Sequence, residues 1–246
     1  LGNKKNRLSQ TRLHGIDALR GSAIALMIIY HFCYDLVYFN FAGFDFYHDP
    51  FWLSARNFIV SLFLLVVGIS LVLANQNGIN GHKVMKRFVV ILSAALFISL
   101  LTYFMFPGRT IFFGILHFIA FASLVGLLFY RFYWANLFTG IAMIVIGVTI
   151  KSALFDQPWL QWLGMMTHKP ATEDYVPMLP WLGVVLIGMF IAKVIMSKPA
   201  LLNYCGKLPS SAFTRLLGYA GRHSLVIYLL HQPVLMALLF VAASLV

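Results

Sequence analysis

Apolar residues gather in seven long runs separated by short polar stretches. The runs cover roughly Ser22–Phe39, Phe58–Ala74, Phe88–Phe106, Ile111–Tyr130, Ala135–Ile150, Leu179–Met196 and Leu225–Val246. A helix of about 20 residues crosses a hydrocarbon core. The pattern therefore predicts an all-α membrane bundle of about seven transmembrane helices. The fifth run is the shortest, and a count of six would make it re-entrant or tilted. Trp52, Trp134, Trp159, Trp162 and Trp181 fall near the predicted ends, where amphipathic rings favour the interface. Two longer outer loops, Asn40–Asn57 and Asp156–Pro180, mix aromatics with acids. The longest inner loop, Lys198–Arg222, has room for a short surface helix. Single glycines at Gly68, Gly126, Gly140, Gly147 and Gly188 sit within runs that lack GxxxG motifs, and they allow close helix contacts.

Composition removes the soluble alternatives. Of 246 residues, 61% are hydrophobic and 10% charged, against about 45–50% and about 25% in ordinary globular domains. A water-exposed surface cannot be built from so little polar material. The net charge of +11 does not point to nucleic acid, because the basic residues flank apolar runs instead of forming one module. With the N-terminus in the cytoplasm, the outer segments hold only Arg56, Arg109, Lys151 and Lys169. The remaining fourteen of the 18 Lys and Arg lie inside, the bias that orients membrane proteins. The C-terminus is then expected outside. Residues 1–21 form a basic cytoplasmic segment and 22–246 a single transmembrane domain. No cleavable signal peptide is expected, because the first apolar segment continues into a full span. Cys33 and Cys205 fall in different parts of this topology, so no disulfide is expected, and no CxxC pair is present.

Ionisable residues inside spans are costly and mark cavities or partners. Arg20 opens the first span and His31 follows eleven residues later. At about 100° per residue this is nearly the same helix face, with about 16 Å of rise. Asp17 precedes Arg20 by one turn and can pair with it. Asp35 lies one turn beyond His31, placed to orient its ring as carboxylates do for catalytic histidines. His117 and His231 come from other spans, and all three histidines can approach one cavity. Each also has a plain packing role open to it. A histidine can take a proton from a hydroxyl or amine attacking a thioester, or accept the acyl group itself. Arginines near the inner face suit phosphates. The same histidines would also serve as ligands of a b-type haem, and a glycan or lipid transporter is a further reading, disfavoured by the few prolines in the spans.

The stretches RLHGIDALRGSAIALMIIYHF, GILHFIAF, DYVPMLPWLGVVLIG and GYAGRHSLVIYLLHQPV together resemble the heparan-alpha-glucosaminide N-acetyltransferase catalytic domain family, formerly a bacterial domain of unknown function. They also resemble the wider group of transmembrane glycan acyltransferases, in which Arg, ten residues and His form a signature that Arg20 and His31 match. The resemblance implies acetyl-CoA, or another acyl-CoA, as cytoplasmic donor. It implies the amine or hydroxyl of an extracytoplasmic sugar as acceptor, with no metal. It puts the protein in a bacterial inner membrane, among lipids, with a homodimer expected because many relatives carry extra spans. It places the catalytic loop histidine on His48 in FYHDPFW, nearer the acceptor, with His31 directed toward the thioester beside Asp35. Asp17 and Arg20 would shape the donor entrance, Arg222 would meet a CoA phosphate, and His117 and His231 would line the cavity. Asp49, Trp52, Asp174 and Trp181 would build the acceptor side.

Overall fold

A computed structural model describes residues 13–105, 108–172, 174–207 and 211–245. The predicted run ends Phe106 and Val246, the acid Glu173 and residues 1–12 of the basic segment lie outside the described residues. Within the described residues the chain is helical, without strands. The helices are α1 (His14–Tyr38), α2 (Pro50–Ala74), α3 (Gly81–Met105), α4 (Ile115–Phe129), α5 (Trp134–Thr149), α6 (Met178–Ser197), α7 (Pro199–Gly206), α8 (Ala212–Arg222) and α9 (Ser224–Ser244). Five of them, α1, α2, α3, α6 and α9, are long and apolar enough to cross a membrane, and α4 and α5 are shorter apolar helices. Each of the seven apolar runs is a helix. The predicted surface helix of the inner loop is two helices, α7 and α8.

Local chemistry sets the ends. Asn40 adopts φ 60°, and the bonds Asn40 N–H to Val37 O and Phe41 N–H to Leu36 O close α1 as a Schellman motif. The chain therefore turns sharply into the loop that carries His48. Asp49 Oδ1 accepts from the N–H of Phe51 at 2.8 Å. With Pro50 next, this starts α2 at a capped end. Ser211 caps α8 through the N–H of Thr214 at 3.1 Å.

The chain divides into two compact units. One comprises residues 1–56 and 195–246, the other residues 57–194. In the first, α1 packs against α7, α8 and α9. Gly21 and Gly221 make the α1–α8 crossing. A Cβ on Gly21 would overlap the Leu217 carbonyl, and one on Gly221 would overlap the Asp17 carbonyl. In the second unit α6 is central, with Leu182, Val185, Leu186 and Met189 fully buried. Gly68 meets the Val185 carbonyl, Gly188 the Leu65 carbonyl, and Gly140 faces Gly183. Gly126 and Gly147 abut Leu71 and Pro180, so the glycines singled out in the sequence all lie at close contacts. Small residues give such packing where lipid leaves no hydrophobic drive between helices. Long stretches of Leu, Val and Phe on α3 and α9 stay exposed, from Val89 to Phe104 and from Val226 to Val241, as a lipid-facing surface requires.

Candidate functional site

The first unit holds most of the predicted residues. Near the start of α1, Arg20 Nη1 lies 3.4 Å from Asp17 Oδ1. It also donates to the Gly221 carbonyl at 3.3 Å, so the expected Asp17–Arg20 pair forms and ties α1 to the C-terminal end of α8. That end is the negative pole of the α8 dipole, which favours a guanidinium there. Arg222 follows directly, with its guanidinium 5.7 Å from the centre of the Tyr219 ring.

Farther along α1, His31 meets His231 of α9 edge to face, with ring centroids 5.0 Å apart. His231 Nδ1 donates to the Tyr228 carbonyl at 2.6 Å. Axial haem ligands occupy opposite faces of the porphyrin, and two rings in direct contact leave no space for one between them. Asp35, 1% exposed, accepts from Gln232 Nε2 at 2.7 Å. Sequence spacing puts Asp35 one turn from His31; the hydrogen bond the carboxylate makes is to Gln232. Both lie on one helix, but the carboxylate reaches across to α9, and its Oδ2 has no hydrogen-bond partner among the described residues. Gln232 was not singled out in the sequence.

In the loop between α1 and α2, Asp45 holds a histidine. Its Oδ1 accepts the backbone N–H groups of Tyr47 and His48, both at 2.9 Å, and its Oδ2 lies 2.9 Å from His48 Nδ1. Those backbone N–H groups, with the His48 ring behind them, hold the Asp45 carboxyl below the usual carboxylate range. An ionised carboxylate only accepts, so Nδ1 carries the proton and Nε2 is the basic nitrogen. The His48 side chain is 85% exposed. The loop is anchored by Phe46, which is 4% exposed and ringed by Tyr30, Tyr34, Phe44 and Trp52 at centroid distances of 5.2, 5.2, 6.4 and 4.3 Å. Trp52 thus stacks on the loop's own aromatics, and Asp49 caps α2. Beside Asp45 lies a cavity of about 270 Å³ lined by Tyr34, Val37, Tyr38, Phe44, Asp45, Phe46 and Tyr47, with the Tyr34 and Tyr47 hydroxyls 3.0 Å apart.

The second unit contains His117, Asp174 and Trp181. Ser99 Oγ donates to the Ile111 carbonyl, so it accepts from His117 Nε2 at 3.2 Å. His117 Nδ1 in turn accepts the Gly114 N–H at 3.3 Å. Both ring nitrogens are engaged in holding the start of α4. Asp174 Oδ2 accepts from the Ile115 N–H at 3.0 Å and caps the same helix end. Trp181 is half-buried near the start of α6. In the loop before α6, Asp156 bonds the Thr167 hydroxyl and N–H, which keeps its carboxyl below the usual range. Burial pushes the Tyr175 hydroxyl up. Among the described residues no three His, Cys, Asp or Glu side chains cluster as metal ligands.

Asp45, Tyr34 and Tyr47 are the residues that sequence reasoning passed over. The available signal was the Asp three residues ahead of His48, in a segment short enough to turn back on itself. The family model for the heparan-alpha-glucosaminide N-acetyltransferase catalytic domain matches residues 12–233. Comparison with curated proteins and with solved structures returns no match.

Proposed function

This chain belongs to the heparan-alpha-glucosaminide N-acetyltransferase catalytic family, and on that premise we propose that it moves an acetyl or other acyl group from cytoplasmic acyl-CoA to an amine or hydroxyl of a sugar across the membrane. The observation that carries the reading is the Asp45–His48 pair, a base of fixed tautomer on the loop expected to face outward. His48 Nε2 takes the proton from the acceptor as its nitrogen or oxygen attacks the thioester carbonyl. The new C–N or C–O bond forms and the C–S bond breaks. The leaving thiolate recovers the proton from His48, so the step balances without another reactant.

The other residues take supporting parts in this reading. Arg20, held by Asp17, and Arg222 flank the α1–α8 crossing and meet the CoA phosphates. His31, His231 and the Asp35–Gln232 pair line the polar route by which the thioester approaches His48. His117, Asp174 and Trp181 keep the loop before α4 and the start of α6 in shape for the acceptor side, as Asp49 and Trp52 do for the His48 loop. The positive-inside bias supports the sidedness.

Purified protein incubated with radiolabelled acetyl-CoA and a set of amino and neutral sugars tests the proposal. Wild type is expected to hydrolyse the donor or transfer label. His48→Ala and His31→Ala are expected to lose that turnover, and Arg20→Ala to raise the KM for acetyl-CoA. Equal turnover in all four proteins overturns the assignment. Base stability of the product separates amide from ester.

A further inference from the structure

We propose that the start of α3 is a headgroup site for an anionic phospholipid, whose acyl chains lie along the same side of the helix. The proposal stands apart from the acyl-transfer reading and needs none of its residues. His82, Lys86, Val90, Phe97, Leu100 and Phe104 follow one another at steps of four, four, seven, three and four residues, and all six are exposed. Such steps keep to one helix face. Ile91 and Ala95, turned away from that face, are buried. Lys83 is also exposed and stands one turn before Lys86, as its neighbour on the helix surface. One side of α3 is therefore basic over its first turns and hydrocarbon beyond them. From Lys86 to Phe97 the helix rises about 16 Å, close to half of a hydrocarbon core of about 30 Å. A phosphate on the two lysines leaves its chains beside Val90 and Phe97.

The helix itself disfavours cations at this end. Asn80 Oδ1 accepts the Lys83 N–H at 3.1 Å and fixes the helix start. The positive pole of the helix dipole lies there and favours acids, yet α3 has none in its first turn. The surrounding chain supplies no counter-charge, since no Asp or Glu occurs between Asp49 and Asp156. Among the described residues Lys83 and Lys86 make no ion pair. Two ammonium groups and the helix pole thus converge unbalanced, and an anion from outside the chain balances them. The hydrocarbon stripe that continues from the lysines selects a lipid phosphate over a free one. A phosphatidylcholine phosphate is already offset by its own choline, so a headgroup of net negative charge is preferred. The basic bias predicts this end of α3 on the cytoplasmic side, where anionic lipids attract lysines next to a span.

Native mass spectrometry of the full chain in detergent, titrated with dioleoyl phosphatidylglycerol or dioleoyl phosphatidylcholine, tests this. Wild type is expected to hold the anionic lipid about tenfold more tightly, the order that two lysines near an anionic headgroup supply. The double variant Lys83→Gln with Lys86→Gln is expected to lose that preference. Its unchanged phosphatidylcholine binding would show that it is folded. Lys83→Arg with Lys86→Arg is expected to keep the preference. Lys198→Gln with Lys207→Gln removes the same charge elsewhere on the same expected side and is also expected to keep it. Equal affinity of wild type for the two lipids overturns the proposal, as does a preference that survives in Lys83→Gln with Lys86→Gln. An equal loss in both glutamine pairs shows attraction to net charge alone and overturns the site. Displacement of phosphatidylglycerol by inorganic phosphate at equal concentration overturns the lipid as occupant, because the hydrocarbon stripe would then contribute nothing.

Discussion

Asp45 shapes its surroundings through geometry more than through charge. One oxygen gathers two successive backbone N–H groups, and the fold of that turn delivers the His48 ring to the other oxygen. Asp45→Asn keeps an acceptor for the backbone but no longer fixes the imidazole tautomer. Its kcat is expected to fall about 10- to 100-fold, as for other groups that orient a functional histidine, while the KM for acetyl-CoA stays put and Asp45→Glu recovers part of the loss. An unchanged kcat in Asp45→Asn would remove the pair from the mechanism. A pH dependence follows as well. The folded carboxyl lies below its ordinary value because hydrogen bonds favour the charged form. Its contribution is therefore complete above the unfolded value of about 3.9 and is lost only as pH falls through the lower folded value. Amide-exchange protection of Tyr47 and His48, corrected for intrinsic rates, should persist down to about pH 4 and be lost only at lower pH. Protection already lost above pH 4 contradicts this. Helical spacing made Asp35 the apparent partner of His31, because i and i+4 share a face. Spacing says nothing about which neighbouring helix brings Gln232. Asp45 lies in a turn, where no period exists to be read.

The helix crossings were legible only by half. Hydropathy marks the stretch that must avoid water, so all seven apolar helices stand where the runs lie. Three of them start well ahead of their runs. α1 begins at His14, α2 at Pro50 and α3 at Gly81, ahead of the predicted Ser22, Phe58 and Phe88, because Asp17 and Arg20 in α1, Ser54, Arg56 and Asn57 in α2, and Lys83, Lys86 and Arg87 in α3 interrupt the apolar signal. The α1–α8 contact was not legible, since its two glycines stand on different helices and make no motif within either. Gly21→Ala places a methyl group on the Leu217 carbonyl. A contact so tight forces the helices apart, at a cost of about 1–3 kcal/mol for overpacking, and weakens the Arg20 bond to Gly221. Thermal unfolding in detergent should show a lowered midpoint together with a raised KM for acetyl-CoA. Gly43→Ala, where a Cβ meets nothing within 4 Å, is the control expected to match wild type. Equal midpoints for the two variants would show that α8 does not depend on this crossing.

At the scale of the molecule, composition and charge carried the argument farthest, because both sum over many residues and tolerate error at each. The apolar excess requires a membrane whichever helix boundaries are right. The basic bias of fourteen to four predicts the His48 loop outside and α7 inside. Single residues could still be misplaced without altering that sum, so sidedness is best tested at two distant points at once. Cys33 and Cys205 are both free and can be replaced by serine to give a cysteine-free background. A cysteine is then introduced at Gly43, in the loop between α1 and α2, or at Lys207, after α7. In intact cells a membrane-impermeant maleimide should label the first and spare the second, and permeabilisation should expose both. The opposite pattern would put the Asp45–His48 pair on the donor side, where the proposed base meets acyl-CoA and water but no far-side sugar. Labelling of both sites in intact cells would place an even number of crossings between Gly43 and Lys207. The fourth and fifth apolar helices, the two shortest at Ile115–Phe129 and Trp134–Thr149, are where such a change in count would arise. A helix of about 15 residues spans roughly 22 Å against a core of about 30 Å, so it crosses only with help from its flanking turns or a locally thinned bilayer.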